Sequence, residues 1–202
     1  KEDLIEIRRE LHVNDDGYLI TFFSQAIKKV IDNGSDKPSR GYNELTVLGM
    51  LESVLYKLNI DKLNFLVKLH PKEDLESTRI ALSGKLPEVI FDKGCSPRKL
   101  IMISDLVSGM FSTSLVESVY LDKDAISIQP DITMEDTLAM NKLGLIIPVY
   151  KEQDLKPALE RMIYDNKFKE ELKERRSRLN LDGKATERVV KFVYKLLNIN
   201  WG

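Results

Sequence analysis

The sequence predicts an α/β domain built on a doubly wound, six-stranded, mostly parallel sheet. Three observations carry that expectation. Short apolar runs alternate with amphipathic stretches along most of the 202 residues, the order that strand–helix–strand crossovers require. The first run, Tyr18-Leu19-Ile20-Thr21-Phe22-Phe23, lacks period-two alternation, as a strand covered on both faces does. The composition, 43% hydrophobic and 31% charged, is that of a globular chain rather than a disordered one.

Element by element, Glu2 to Leu11 carries Leu4, Ile5, Ile7 and Leu11 at mostly helical spacing, and Asn14-Asp15-Asp16-Gly17 stops it. After the first strand, the polar stretch Asp32 to Asn43 holds two glycines and a proline and predicts a mobile loop. Leu45, Leu48, Leu51, Leu55 and Leu58 then mark an amphipathic helix. Leu63 to Leu69 reads as the second strand and Leu75 to Ser83 as a helix. Glu88 to Phe91 is the third strand, followed by a helix from Pro97 to Ile103 with its proline in the first turn. Asp105 to Met110 is the fourth strand and Ser114 to Leu121 its helix. Ala125 to Gln129 is the fifth, with a weak helix over Glu135 to Leu143 behind it. Gly144 ends that helix and Leu145 to Val149 is the last strand. There Pro148 lacks a donor, which predicts an edge. Two or three helices close the chain, over Gln153 to Tyr164, Lys167 to Leu179 and Lys184 to Leu197.

Charge and cysteine content narrow the classes of function. Lys and Arg number 31 against 32 Asp and Glu, a net charge of −1. No general attraction to nucleic acid or an anionic membrane follows, so anion binding requires a local site. The single Cys95 excludes an internal disulfide and fits a reducing, cytoplasmic setting. No apolar run approaches the roughly 18 residues of a membrane span. The chain starts Lys1-Glu2-Asp3-Leu4, with no initiator Met and no signal peptide. It is therefore expected to begin inside something larger, or to have been processed.

In an open parallel sheet, ligands bind outside the carboxyl ends of the strands. The residues to weigh are therefore Ser24 and Gln25 after the first strand, His70, Pro71 and Lys72 after the second, and Asp92 to Pro97 after the third. Ser112, Thr113 and Ser114 follow the fourth strand, and Gln129, Pro130 and Asp131 the fifth. Pro71 keeps His70 in extended geometry at the strand tip, where its imidazole either reaches a phosphate or closes a turn. His12 sits at a helix C-terminus, where the dipole accounts for it. The hydroxyls of Ser112 to Ser114 open a helix whose N–H groups and dipole suit phosphate. Equally, Ser114-x-x-Glu117 reads as a capping box that satisfies the helix internally. Lys68, Lys72, Lys93, Arg98 and Lys99 either make the crevice positive or lie scattered on the surface. Cys95 has no nearby histidine and no metal spacing. No G-x-G-x-x-G, Walker loop, nucleophile elbow or zinc pattern is present.

Taken in order, these stretches resemble the C-terminal, donor-binding half of GT-B glycosyltransferases. The likeness is to the surface-polysaccharide group with His-Pro and Ser/Thr motifs, which includes sialyltransferase-like, polysialyltransferase-like and glycerophosphotransferase-like enzymes. Leu66-Val67-Lys68-Leu69-His70-Pro71-Lys72, Ser104-Asp105-Leu106-Val107-Ser108-Gly109-Met110, Ser112-Thr113-Ser114-Leu115-Val116-Glu117-Ser118 and Asp124-Ala125-Ile126-Ser127-Ile128-Gln129-Pro130 carry it, over nearly the whole chain. One departure is Met110-Phe111, where that group often has glycine, so that Phe111 narrows the phosphate approach.

The resemblance implies a Rossmann-like sheet forming half of a GT-B architecture. Residues 1–14 would be a linker helix from a missing N-terminal acceptor domain, 15–165 the nucleotide-sugar-binding domain, and 166–202 C-terminal helices packed on it. It implies His70 and Ser112, Thr113 and Ser114 at phosphate, Glu117 at ribose, and Asp92 to Ser96 near the base; Ser24, Lys72 and Asp131, from their places past the strand ends, are further candidates for nucleotide binding. The nucleotide sugar is substrate; no other cofactor and no metal is implied, and no catalytic residue is assigned. Two alternatives stand beside it. One is half of a sugar-nucleotide 2-epimerase, whose glycine-rich turn and paired glutamates are absent here. The other is a Rossmann-like binding or scaffold module without a ligand.

Overall fold

A computed structural model describes residues 2–28, 40–179 and 182–199. Six strands form one sheet in the order β3-β2-β1-β4-β5-β6, and every pairing is parallel. The strands are β1 (Tyr18–Phe23), β2 (Leu63–Lys68), β3 (Ile90–Asp92), β4 (Leu106–Gly109), β5 (Ala125–Ile128) and β6 (Ile147–Val149). Pro148 does lie on an edge strand.

The helices are α1 (Glu2–Glu10), α2 (Glu44–Leu58), α3 (Leu75–Ile80), α4 (Pro97–Ile103), α5 (Thr113–Tyr120), α6 (Ala139–Lys142), α7 (Glu152–Tyr164), α8 (Asn166–Ser177) and α9 (Ala185–Leu196). Successive β1 residues point to opposite faces, and both faces are buried. Ile20 and Phe22 join Leu48, Leu51 and Leu55 of α2 and Leu159 and Met162 of α7. Leu19 and Phe23 join Leu100 and Ile101 of α4 and Leu115 and Val119 of α5. Helices on both sides explain why β1 reads as an uninterrupted apolar run.

Several boundaries differ from the sequence reading, and side chains distant in sequence account for most of them. The helix expected to Ser83 stops at Ile80 because Glu52, buried on α2, accepts the Ser83 N–H and hydroxyl and the Lys85 N–H. The helix expected over Glu135 to Leu143 shrinks to Ala139–Lys142. Asp136 instead accepts the Leu138 N–H, the Asn141 amide and the Tyr150 hydroxyl. The third strand runs to Asp92, whose carboxylate meets Lys68 across the ladder. The last strand begins at Ile147 rather than Leu145. Residues 32–39 of the loop expected over Asp32 to Asn43 lie outside the described residues.

The expected linker helix α1 is docked on the domain. Ile7 is buried among α4, α5 and the sheet, and Arg8 donates to the carbonyls of Ile103, Asn14 and Gly17. Of the C-terminal helices expected to pack on the domain, α8 buries Phe168, Leu172 and Arg176. The Arg176 guanidinium braces the entrances of β4 and β5 through Asp122 and Asp124. In α9, by contrast, no residue is buried. Among the described residues no helix is long and apolar enough to cross a membrane.

Candidate functional site

The chain runs outward from β1 through β2 to β3, then returns to β4 on the other side of β1. The carboxyl ends of β1 and β4 therefore flank the switch point, where open α/β sheets bind ligands. Gln25, just past β1, spans it: its Oε1 accepts the Phe111 N–H at 3.1 Å. The two strands approach closely here, since a Cβ on Gly109 would lie 3.3 Å from the Phe23 carbonyl.

On the β4 side, α5 opens at the crevice. Its N-cap is Ser112, whose hydroxyl accepts the Ser114 N–H at 3.2 Å. That corrects the capping box expected from Ser114 and Glu117. Ser114 lies inside the helix and is buried, and Glu117 is exposed on a later turn. Glu117 is thus released from any part in the cap. The N–H groups of Ser112 and Thr113 make no hydrogen bond within the described residues. Unbonded N–H groups at the positive end of a helix are of the kind that suits an anion.

On the β2 side, His70 follows the strand half-buried. Its Nδ1 accepts the Lys72 N–H at 3.2 Å, which leaves the proton of the neutral ring on Nε2. Lys72 itself is exposed. The sequence reading missed Glu73, which fixes this turn. Its carboxylate is buried and accepts the Ser24 hydroxyl and the His70 N–H, each at 2.6 Å. Glu73 thus joins Ser24 at the end of β1 to His70 at the end of β2. A carboxylate three residues past the His-Pro pair was a possible signal, but Ser24 is 49 residues away.

Burial pushes the Glu73 carboxyl above its ordinary range, against the pull of its bonds from Ser24 and His70. The folded state therefore holds this proton more tightly than the unfolded chain. The resulting stabilisation is complete below the unfolded value, about pH 4.3, and is lost as pH rises through the higher folded value. Glu73→Gln keeps an acceptor for His70 and a donor for Ser24, so it should fold. Denaturant unfolding across pH should show the variant gaining on the wild type from about pH 4.3 upward. A pH-independent difference between the two would show that Glu73 does not titrate abnormally.

The loop after β3 is held by Asp92. Its Oδ2 lies 2.7 Å from Lys68 Nζ, and the carboxylate also accepts the Cys95 N–H. Lys68 is buried against this partner, so its charge is neutralised and does not make the crevice positive. Lys93 is likewise tied down, donating to the Glu73 carbonyl. Ser96 caps α4 by position only, with no side-chain cap bond. Ser96, Pro97 and Arg98 instead share a cleft of about 580 Å³ with Glu117, Tyr120 and Leu121. The structure therefore brings together Ser96 and Glu117, which the sequence separates by a strand and a helix.

Asp131 stands farther along, past β5. It adopts a left-handed backbone with φ 51°, and its carbonyl is where a Cβ on Gly41 would collide, at 2.3 Å. Beside it, Arg40 lies over the Phe111 ring at 3.7 Å. Phe111 packs against the core and so holds a guanidinium next to the residue that caps α5. Nothing in the sequence pattern marked Arg40, which follows a stretch without periodicity.

No protein-family model matches this sequence, and no curated protein matches it. Solved structures share its fold at low identity. The UDP-GlcNAc 2-epimerase of Neisseria meningitidis, bound to UDP-GlcNAc, is 13% identical with a TM-score of 0.63, over 96% of this chain and 48% of its own. The wall teichoic acid polymerase TagF is 19% identical with a TM-score of 0.60, over 98% of this chain and 48% of its own. The calicheamicin glycosyltransferase CalG4 is 12% identical with a TM-score of 0.60, over 92% and 43%. The chain spans less than half the length of these structures. The likeness shows the fold: a Rossmann-like α/β unit of the kind that forms one half of GT-B chains.

Proposed function

We propose that this chain is the nucleotide-sugar-binding half of a glycosyltransferase that moves a sugar from an activated donor to a saccharide or cell-surface acceptor. The observation that carries the reading is the crevice at the switch point. There the N-terminus of α5 leaves the N–H groups of Ser112 and Thr113 unbonded within the described residues, and in this reading His70, at the end of β2, brings its Nε2–H to the same ligand. Together they suit the phosphates of the donor. Glu117 takes the ribose hydroxyls from the wall of the cleft it shares with Ser96, and the loop from Asp92 to Ser96 lies against the base. Arg40, on Phe111, adds a cation that offsets the diphosphate charge.

Acceptor and catalytic base come, in this reading, from an N-terminal half of the same protein. The surface-polysaccharide group is favoured by the His-Pro and Ser/Thr motifs together with the fold shared with TagF. The cytoplasm, where Cys95 stays reduced, is the compartment that fits. A second reading, half of a sugar-nucleotide 2-epimerase, has its support in the fold shared with the Neisseria meningitidis enzyme. Formation of a glycosidic bond by the complete protein, against proton exchange at C2 of the donor sugar, separates the two.

A melting series with UDP, CDP, GDP, CMP and their sugar conjugates tests the proposal. A ligand at a hundred times its dissociation constant adds about 2.7 kcal/mol to stability. In a chain of this size that raises the melting temperature by roughly 5–11 °C. At least one nucleotide in the series is expected to do so. Flat curves with all of them would favour a module without a ligand.

A further inference from the structure

We propose that Glu73 is a positioning residue that holds the His70 ring in one tautomer. Its carboxylate clamps the turn after β2 to the end of β1, which leaves Nε2–H as the ring's donor toward a ligand. That the ligand is a nucleotide phosphate rests on the donor-site reading; the clamp itself does not. The turn His70-Pro71-Lys72-Glu73 already closes through its backbone, the Glu73 N–H donating to the His70 carbonyl at 2.9 Å. Pro71 stands where a preset φ favours such a turn. No side chain is needed for that closure. Yet Glu73 places a carboxylate in the interior, 7% exposed, where burial opposes its charge.

Each carboxylate oxygen has one task. Oε2 accepts the His70 N–H, and Oε1 accepts the hydroxyl of Ser24, which is buried too. Ser24 is fixed in turn by its own N–H, which donates to the Lys68 carbonyl at 3.0 Å. On the third side Lys93, from the loop after β3, donates to the Glu73 carbonyl at 2.9 Å. The ends of β1, β2 and β3 thus meet at one residue. The His70 ring depends on this, because the Lys72 N–H that occupies its Nδ1 belongs to the same turn. In a neutral imidazole, a nitrogen that accepts from a fixed backbone donor leaves the proton to the other nitrogen. Once the turn loosens, the Lys72 N–H leaves Nδ1 and both tautomers become populated. The wrong tautomer presents a phosphate with an acceptor where it needs a donor.

Nitrogen NMR spectra of the histidine rings test this at about pH 8.5, well above the ordinary imidazole value of about 6.5. The sequence holds two histidines, and the signals missing from His70→Ala identify those of His70. In the wild type they should report a single Nε2–H tautomer with Nδ1 as an acceptor. In Glu73→Ala they should move toward values averaged over both tautomers. Glu73→Gln, which keeps an acceptor for His70, should restore them. Glu73→Met fills the same space without an acceptor; it carries the same expectation as alanine and replaces it where alanine costs the fold. Nucleotide titration adds the consequence. Glu73→Ala should weaken binding roughly tenfold, yet cost nothing further in a His70→Ala background, because it acts through that ring. A single Nε2–H tautomer in Glu73→Ala or Glu73→Met would overturn the proposal, as would equal losses of affinity with and without His70. A wild type that binds no nucleotide would contradict the donor-site reading instead, and the ring spectra would still decide the role of Glu73.

Discussion

Glu117→Gln is expected to weaken nucleotide binding by about ten- to a hundredfold while leaving the melting temperature where it was. Glu117 is exposed beside Ser96 and Arg98, and the end of its helix is capped by Ser112 instead. Removing its charge therefore costs the fold nothing. Toward a bound ribose the same charge matters, because a hydrogen bond to an ionised group contributes about 1.5–3 kcal/mol. Losing most of that raises the dissociation constant by one to two orders of magnitude. Calorimetric titration and melting of Glu117→Gln and Glu117→Ala read both quantities. Wild-type affinity in Glu117→Ala would remove the residue from the site. A melting temperature lowered by several degrees would give it a role in the helix end after all.

Asp92→Ala should produce the largest loss of stability, about 3–5 kcal/mol. Lys68 and Asp92 are joined at 2.7 Å with side chains only 9% and 11% exposed. Deleting the carboxylate strands the ammonium in the interior and also releases the Cys95 N–H. In a chain of this length that lowers the melting temperature by roughly 6–20 °C. Replacing both partners, Lys68→Met with Asp92→Leu, should recover much of the loss, since an apolar pair of similar volume needs no solvation. The recovered protein is then expected to bind nucleotide less well, because Asp92 also shapes the loop assigned to the base. A loss below about 1 kcal/mol in Asp92→Ala would mean that water screens the pair as it does at a surface.

What the sequence disclosed and what it hid divide along the range of the interactions. β1 was legible to the residue because both faces of Tyr18–Phe23 are buried, and burial on both faces writes itself as a continuous apolar run. α4 was legible because Pro97 marks its first turn. The N-cap of α5 was misplaced by two residues, because Ser112 and Ser114 are both good caps and only Ser114 has an acid three positions on. What decides between them is where β4 ends, at Gly109, and the sequence around the serines does not encode that.

The helix expected from Glu135 gave way to Asp136, whose partner Tyr150 is 14 residues ahead. Glu73 and Arg40 escaped notice for the same reason: their roles exist only once Ser24 and Phe111 are beside them. His70, Ser96, Ser112, Thr113 and Glu117 could be named from strand ends and motif spacing. The meeting of Ser96 with Glu117 could not, because the cleft between α4 and α5 is a product of packing.

Adding the nucleotide that raises the melting temperature most to isotope-labelled protein, and following every backbone amide by NMR, tests the crevice most directly. Saturable shifts should appear at Ser112 and Thr113, around His70, and on both walls of the cleft formed by Ser96 and Glu117. The amides at the opposite ends of the strands, such as those of Asp105 and Asp124, should stay where they were. Shifts centred on those opposite ends, or none that saturate, would contradict a donor site at the switch point.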